Sequence, residues 1–391
     1  MKIFINLLMV GMMFTAFQKF TYAQGGETAV PFLLLAPDSR SGAMGESGAG
    51  LANNSAAIFW NPSGIAFLKG QEVSITHSNW LPQFHLDLFY DYFTYRMYVP
   101  EIDGSVFASI TYMNFGEFIR TGPDSPTPLG TFNAYDAALT LGYATLLSPD
   151  WGVGFNFRVI HSRLSDQPTA QEQGSGVATS VSFDISAMWR PEKFVIPLVD
   201  VDLGKDLSIG LNLSNLGPKI YYIDQAQADP IPTNFRLGIA YQFFNDEYNS
   251  FVYTIDFSKL MISQKVNPDS SVTSRQFYQA IFTSWTDRST SEELRSIQTS
   301  MGIEYWYGKP GDFLFAIRAG YFYEDPSFGN RKFLSFGAGI RYDIYGFDFS
   351  YLTTSVFPGA DTSPLNDTLR FTIDIGWGGE PGDTRGLPRG I

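Results

Sequence analysis

Opposite charges recur along predicted strands of this 391-residue chain, and they are the side chains whose types and spacing could do chemistry. Paired carboxylates could act as a general acid and a general base. However, these acids sit on different strands, and no nucleophile–His pair accompanies them. We therefore favour a salt-bridge network that fills an enclosed interior over a polar pathway or a catalytic site. The residues are Arg158, Arg236, Arg318, Arg341 and Arg370, with Asp184, Asp256, Glu304, Asp348 and Asp374.

The cysteine and histidine content restricts metal and covalent chemistry further. The chain has no Cys, which excludes a disulfide framework, thiolate metal sites and a Cys nucleophile. A histidine metal site would need His77, His85 and His161 to converge with a fourth ligand, and ordinary rim histidines are the simpler interpretation. A net charge of −13 without a basic block argues against nucleic-acid binding. The sequence predicts no catalytic residue, no metal or other cofactor, and no nucleic-acid partner.

Residues 1–23 have the layout of a cleaved secretory signal peptide. An apolar stretch from Ile3 to Phe17 is followed by Thr21-Tyr22-Ala23, which resembles a small-residue cleavage site. A membrane anchor is the alternative, but Gln18-Lys19 interrupts the roughly 20 apolar residues that an anchor needs. No later stretch suits a membrane helix. An exported chain of this kind would have to cross a membrane with strands.

Strict alternation of apolar with polar or small residues dominates the remaining chain, as in Val177 to Trp189. A soluble sandwich alternates in the same way. Strands of about ten residues or more suit a tilted membrane span, and apolar faces that end in Trp189 or Trp377 suit an interfacial girdle. We count fourteen strands within 71–377, at 71–79, 86–99, 104–115, 134–147, 151–163, 176–190, 206–216, 233–244, 250–260, 299–308, 312–324, 332–343, 346–354 and 367–377.

The lengths of the connections alternate, which favours a membrane barrel over a sandwich. Connections after strands 2, 4, 8, 10 and 12 are short, and short periplasmic turns with long extracellular loops are typical of outer-membrane barrels. The stretch 191–205 and the short connections after strands 1 and 11 depart from this pattern. The sequence predicts an all-β, 14-stranded antiparallel transmembrane barrel. Its long loops follow strands 3, 5, 7, 9 and 13, at 116–133, 164–175, 217–232, 261–298 and 355–366.

Two pairs of opposite charges are expected to meet on the inner face of this barrel. With a two-residue turn at Ile344-Tyr345, Arg341 lies directly across from Asp348. Glu304 and Arg318 are expected to be diagonal neighbours across the hairpin that joins the predicted strands 299–308 and 312–324.

The two ends of the mature chain do not fit the barrel wall. Residues 24–70 are small and glycine-rich and include Trp60, Asn61, Pro62 and Gly64. We expect this segment to form a hatch or plug, because bare backbone at membrane depth is tolerated where protein buries it. The Gly/Pro-rich stretch 378–391 is expected to be a periplasmic tail.

An N-terminal hatch with Asn61-Pro62-Ser63-Gly64, followed by fourteen strands, resembles the FadL superfamily of outer-membrane barrels. Within it, the chain is most similar to the PorV group of the type IX secretion system. Ser63 is a small departure, since the superfamily commonly has Ala there. The residues that carry the resemblance are the run from Asp38 to Gly48, Trp60-Asn61-Pro62, Asn212 to Gly217, Gly302 to Tyr307, and Arg318 to Tyr321.

The resemblance implies a non-enzymatic protein in the outer membrane of a Gram-negative, Bacteroidota-like bacterium, in contact with membrane lipid. Its implied partners are a large translocon barrel, the C-terminal signal domains of secreted cargo and a sortase-like attachment complex, between which it would shuttle cargo. The alternative is a FadL-like transporter of hydrophobic small molecules such as long-chain fatty acids. That alternative predicts an apolar pocket beneath the loops. Because the two share a fold, the fold does not separate them.

Several predicted extracellular loops are apolar rather than polar. Aromatic and apolar side chains are typical of interface hot spots, so we interpret these loops as a partner-binding surface. The alternative is that the loops fold over the barrel mouth and bury these side chains. The candidate partner-binding residues are Phe115, Phe118, Ile119, Tyr221, Tyr222, Phe282 and Trp285.

Overall fold

The computed structural model describes residues 28–122, 125–165, 174–197, 200–266, 272–309, 311–356 and 363–378. The predicted signal peptide and the predicted tail beyond Gly378 lie outside these ranges, as do residues 24–27 of the predicted hatch.

Fourteen strands form a closed antiparallel barrel, in which each strand pairs with the next and the last closes on the first. Gln71 and Trp377 face each other across the closing seam, so both ends of the wall lie at the same end of the barrel. The predicted all-β, 14-stranded antiparallel barrel is confirmed. The strands are β1 Gln71–Asn79, β2 Phe89–Val99, β3 Gly104–Gly122, β4 Ser125–Ser148, β5 Trp151–Arg163, β6 Val177–Trp189, β7 Leu207–Leu216, β8 Asn234–Asn245, β9 Asn249–Leu260, β10 Gln298–Tyr307, β11 Leu314–Tyr323, β12 Lys332–Tyr342, β13 Tyr345–Thr353 and β14 Thr368–Trp377.

The long connections contain short elements of their own. Two small hairpins pair Val195–Ile196 with Val201–Asp202 and Gln264–Val266 with Val272–Ser274. None of the helices in the described ranges is long and apolar enough to cross a membrane. The helices are α1 Ser39–Gly42, α2 Ala57–Trp60, α3 Phe277–Thr283 and α4 Thr290–Arg295, with 3-10 turns at Pro31–Leu34, Pro62–Phe67, Pro82–Phe84, Pro100–Ile102 and Gln225–Gln227.

The predicted loop at 116–133 is wrong, because β3 and β4 continue through it as a projecting hairpin. β2 stops pairing with β3 at Asn114, and β5 stops pairing with β4 at Tyr135. Beyond these residues β3 and β4 pair only with each other, across a bulge between Asn114 and Glu117. The bulge accommodates the irregular stretch without ending the strands, which is why sequence alternation alone placed the strand end too early. We call residues 115–122 and 125–133 the outer hairpin.

The wall has a polar inside and an apolar outside. Along β5, Asn156 and Arg158 are buried while Trp151 and Phe155 are exposed. Exposed apolar side chains at mid-strand have lipid as their natural solvent. Those that are 39% to 65% exposed are Ile75, Phe93, Ile110, Leu139, Leu141, Phe155, Phe183, Ile185, Leu211, Ile303, Phe315, Ile317, Phe336, Ile340, Phe347, Phe371 and Ile373.

Aromatic rings border this apolar band at both ends. At one end, ring contacts of 5.6 to 6.1 Å run across β1 to β5, through His77, Phe89, Tyr112, Tyr135 and His161. At the other end, the rings of Trp151 and Trp189 lie 6.1 Å apart. Ten residues of β5 separate the two girdles, and at ~3.3 Å per residue and a tilt near 40° they span about 25 Å. That distance matches the apolar band of an outer-membrane barrel.

Candidate functional site

The N-terminal segment, residues 28–70, lies inside the barrel against the inner faces of strands on all sides. On β9, Asp256 accepts hydrogen bonds from the amides of Gly48 and Ala49, at 2.9 and 2.8 Å. Other contacts join the segment to β1, β5, β7 and β14. They are Ser55 N to Glu72 Oε1 (2.9 Å), Asn156 Nδ2 to Ile58 O (2.9 Å), Asn212 Nδ2 to Trp60 O (3.1 Å) and Ser39 N to Thr372 Oγ1 (3.0 Å).

Inward-facing glycines let the segment touch the wall backbone directly. Four of them, Gly210, Gly238, Gly302 and Gly320, form what we call the glycine shelf. A methyl group on Gly320 would overlap the amide nitrogen of Gly45, and the other three positions meet segment backbone in the same way. Because the obstructing atoms are mostly backbone, a side chain at these positions could not be accommodated by a rotamer change.

The residues of the predicted hatch motif are all buried within this segment. Trp60 donates from Nε1 to Asp38 Oδ1 at 2.6 Å, while the Asn61 side chain caps the turn Pro62–Phe67. Proline suits the first position of a helical turn, because its missing N–H would be unpaired there in any case. Gly64 is required because any side chain would overlap the carbonyl of Ala52. The motif is thus a compact corner within the segment.

A buried ion network ties the segment to the wall. Glu304 on β10 accepts from Arg40 of the segment, at 2.6 and 2.7 Å, and from Arg318 of β11 at 2.6 Å. Arg40 Nη1 also donates to Asn53 at 2.6 Å. The network continues through Arg318 to Asp348 (2.7 Å), Asp348 to Arg341 (2.5 Å) and Arg341 to Asp374 (3.1 Å). Three guanidinium groups and three carboxylates alternate, so adjacent charges are opposite throughout.

Both predicted registers of the charge pairs are wrong, although both pairs meet. Arg341 pairs in register with Gly346, and Asp348 pairs with Gly339, so this pair is diagonal. The turn comprises Asp343 and Ile344, with Asp343 in the left-handed region at φ 52°. Glu304 and Arg318 are directly opposite, because the connection between β10 and β11 spans 308–313 and is longer than expected. The long Arg side chains reach their partners in either arrangement.

Two further inward arginines are paired with carboxylates of the wall. Arg158 and Asp184 contact at 2.8 Å, and Arg96 and Glu72 contact at 2.8 Å. Arg370 pairs with Glu46 of the segment at 3.3 Å, while Arg236 pairs with Asp256 of the wall at 3.7 Å and lies over the Trp60 ring of the segment.

Two cavities lie between the segment and the wall, with volumes of about 10 Å³ each. Both are lined by Leu33, Phe59 and Arg158. Such a volume holds about one water molecule, whereas small-molecule pockets typically measure about 300 to 1,000 Å³. Neither of these two cavities has the size that a fatty acid requires.

An apolar cluster closes the outer end of the barrel. The start of the segment, at Val30, Phe32 and Leu33, packs there with Ile220 and Ile231 of the loop after β7. Phe115 and Tyr222 pack against the same cluster. Tyr222 donates to Ser162 Oγ at 2.8 Å, and burial raises the pKa of its phenol to about 12. Phe115 and Tyr222 are therefore packed against the protein interior, as expected if the loops fold over the barrel mouth.

The remaining candidate partner-binding residues are exposed, but in separate places. Phe118 and Ile119 lie on the outer hairpin, 46% and 64% exposed, and Tyr221 beside the barrel mouth is 51% exposed. Phe282 and Trp285 belong to the loop between β9 and β10, 75% and 41% exposed. The structure therefore divides the predicted surface into two regions rather than one.

The three histidines do not converge. His77 lies 2.7 Å from Asp91 on the outer side of the wall, and His161 contacts Thr179 at 3.0 Å. Within the described ranges, no group of three or more His, Asp or Glu side chains is arranged to hold a metal ion.

Sequence reasoning missed Arg40 and the glycine shelf. Glycines at inward positions of four strands were the available signal, since they recur where polar residues alternate with apolar ones. The sequence does not show that these glycines face the N-terminal segment, because the contacting residues are far apart in the chain; Arg40 and Glu304 are 264 positions apart.

Comparison with known proteins gives a family assignment. The sequence profile of the family described as PorV, type IX secretion system protein, matches residues 21–267, more than half of the chain. No curated protein sequence matches the chain.

Solved structures with a similar form share little sequence. The Ralstonia pickettii toluene transporter TbuX is 13% identical over 87% of this chain and 97% of its own, with a TM-score of 0.44. A Pseudomonas aeruginosa FadL homologue is 10% identical over 87% and 97%, at 0.49, and the P. putida toluene transporter TodX is 12% identical over 88% and 97%, at 0.48. At these TM-scores the likenesses carry no argument about this chain.

Substituting Glu304 with Gln is expected to destabilise the barrel by about 3–5 kcal/mol, because two buried guanidinium groups lose their shared counter-charge. The measurement is the midpoint of chemical unfolding in lipid vesicles. The matched control is Glu247→Gln, which breaks an exposed pair with Lys309 and should leave the midpoint unchanged. Equal midpoints for Glu304→Gln and wild type would contradict the structural role of the network.

Substituting Gly320 with Ala is expected to displace the N-terminal segment, because the new methyl group overlaps the backbone of Gly45. Trypsin should then cleave after Arg40, which is buried in the wild-type protein. The control is Gly376→Ala, where the nearest atom to the new methyl group is 3.7 Å away. If Gly320→Ala remains as resistant as the control, the glycine shelf does not hold the segment.

Proposed function

The chain belongs to the PorV family of the type IX secretion system, and we propose that it binds the C-terminal signal domain of secreted cargo and carries it from the translocon to the attachment complex. The protein is an outer-membrane β-barrel. The family is a secretion component and is not typical of enzymes. In this proposal the protein performs no chemistry and acts by binding.

The observation that carries the proposal is the filled interior. Arg40 is bound to Glu304 inside the wall, and the best-formed cavities hold about one water each. In the described residues, the segment occupies the lumen through which a secreted protein would have to pass. Its useful surface is then the outer one, where partners can reach it.

We also propose that residues 24–70 act as a permanent plug. Support comes from the direct backbone contacts at the glycine shelf and from the buried ion network. Moving the segment would expose several charges at once inside the barrel, and unpaired buried charges are costly. The plug would thus keep the outer membrane sealed while the outer surface exchanges partners.

The outer hairpin is the part of this surface best suited to protein contact. Phe118 stacks on Phe132 with ring centroids 5.7 Å apart, which presents a preformed aromatic face. Ile119 is exposed beside it, and Tyr221 lies near the mouth. Rigid aromatic side chains bind with a small loss of conformational entropy. Phe115 and Tyr222 would position this surface rather than contact the partner, because both are packed inward.

A FadL-like transporter of hydrophobic small molecules is the second candidate, since it would have the same barrel. Its expected pocket beneath the loops is replaced by the apolar cluster of the segment and the loop after β7. The cavity volume therefore favours the secretion role. A strain without this protein distinguishes the two: the proposal expects loss of cargo secretion with normal uptake of long-chain fatty acids.

Replacing Phe118 with Asp and Ile119 with Ser in one variant is expected to abolish recovery of cargo with the tagged protein, because the apolar contact surface is lost. The measurement is affinity purification from detergent-solubilised outer membranes, followed by mass spectrometry. The control is Tyr248→Ser, which alters an exposed aromatic residue in a turn at the opposite end of the barrel. Wild-type recovery of both translocon and cargo by the Phe118/Ile119 variant would exclude the outer hairpin as the interface.

A further inference from the structure

The loop between β9 and β10 folds over the outside of the barrel wall. Asp256 and Ser258 on β9 point inward and are buried, so Lys259, the next residue, lies on the outward face. Lys259 is nevertheless only 3% exposed. Its Nζ donates to Glu293 of α4 at 2.6 Å and to Ser296 at 2.5 Å. The segment 277–296, which contains α3 and α4, therefore covers the outward face at this point.

Trp285 places the same segment against the lipid-facing surface. Its ring contacts Phe235 edge to face, with centroids 5.6 Å apart, and Lys259 Nζ lies 5.5 Å from the Trp285 ring. Phe235 is directly opposite Lys259 in register, on the outward face of β8. Trp285 therefore packs on the outward face of the wall and not at the barrel mouth.

The height of this contact corresponds to the outer membrane–water interface. Phe243, near the periplasmic end of β8, is exposed, and its ring lies 5.6 Å from that of Phe251, at the same end of the barrel as Trp151 and Trp189. Eight residues of β8 separate Phe235 from Phe243, which raises Phe235 by about 20 Å along the barrel axis at ~3.3 Å per residue and a tilt near 40°. The apolar band is about 25 Å tall, so Trp285 lies near its upper border.

Helix α3 buries Ala280 on one side and leaves aromatic side chains exposed on another. Ala280 and Ser284 are buried, and Ser284 contacts Met261. Tyr278 and Phe282 are four residues apart on α3, so they lie on one side of the helix, and Trp285 follows in the turn after it. We call these three side chains, which are 56%, 75% and 41% exposed, the stripe. The helix sequence FYQAIFT contains no charge. The charges of the segment are on and around α4, where hydrogen bonds from Ser289 lower the pKa of Glu292.

We propose that the stripe Tyr278–Phe282–Trp285 is a membrane anchor that inserts into the acyl–headgroup boundary of the outer leaflet. The stripe continues the lipid-facing wall through the Trp285–Phe235 contact, and aromatic residues are the ones that favour this interface. A charge-free apolar helix face at this height is stabilised by lipid and destabilised by water. The buried Lys259–Glu293 pair holds the stripe at that height.

This assignment separates two functions that the exposed aromatic residues would otherwise share. Phe282 and Trp285 contact lipid, and the outer hairpin is left for protein partners. The anchor would fix the loop between β9 and β10 on the membrane surface at β8 and β9, so it could not swing over the barrel mouth.

The natural absence of Cys allows a direct test with single-cysteine variants. Phe282→Cys is labelled with an environment-sensitive fluorophore in phosphatidylcholine vesicles. The quenchers are a nitroxide attached near the top of the lipid acyl chain and aqueous iodide. Phe118→Cys on the outer hairpin is the aqueous control, and Ile317→Cys, a mid-strand residue on the outward face, is the lipid control.

The expected result is that the label at 282 is quenched by the nitroxide lipid and shielded from iodide, with emission shifted to the blue of the label at 118. Iodide quenching equal to that at 118, without nitroxide quenching, would overturn the proposal and leave the stripe available to a protein partner. Quenching by neither reagent would also overturn it, because the side chain would then be covered by the protein itself.

Discussion

The ion pair between Arg40 and Glu304 is the interaction on which the interior depends. A barrel of eight strands is just wide enough for its own side chains to fill, so fourteen strands leave a lumen that requires additional protein. The N-terminal segment supplies it, and Arg40 is the charge that it brings to the wall. Glu304 would otherwise face Arg318 alone, at the centre of a row of buried charges. Backbone contact at the glycine shelf and charge pairing both hold the segment against the wall.

Because the N-terminal segment fills the lumen, the surfaces that remain for binding partners are those on the outside of the barrel. The wall divides the protein into an inside of buried polar groups and an outside of exposed apolar ones, with aromatic residues at both borders. Beyond the outer border, only the outer hairpin and the loops interrupt this pattern. Surface chemistry there differs with position: Phe118 and Ile119 project from the end of the barrel, whereas Trp285 lies on the side of the wall. In the function proposed above, the protein acts as a docking platform in the membrane.

Much of the wall was predictable because alternation directly reports which face of a strand is lipid-exposed. The fourteen strands and their order follow from that pattern and from loop lengths. The register of Arg341 against Asp348 was not predictable, since it depends on Asp343 adopting a left-handed conformation in the turn. The outer hairpin was missed because a bulge hides its continuation. The side on which Trp285 lies is set by tertiary contacts with Phe235 and Lys259, which no local pattern encodes.

The most direct test of the central claim is to lock the N-terminal segment to the wall and measure secretion. Ser47 and Thr254 have hydroxyl oxygens 2.8 Å apart, and the chain has no other Cys, so Ser47→Cys with Thr254→Cys would form one disulfide between segment and β9. The measurement is the amount of signal-bearing cargo that reaches the cell surface, with and without reductant. A static plug predicts wild-type secretion in the oxidised state. Loss of secretion on oxidation, restored by reductant, would contradict the account, because it would show that the segment must move.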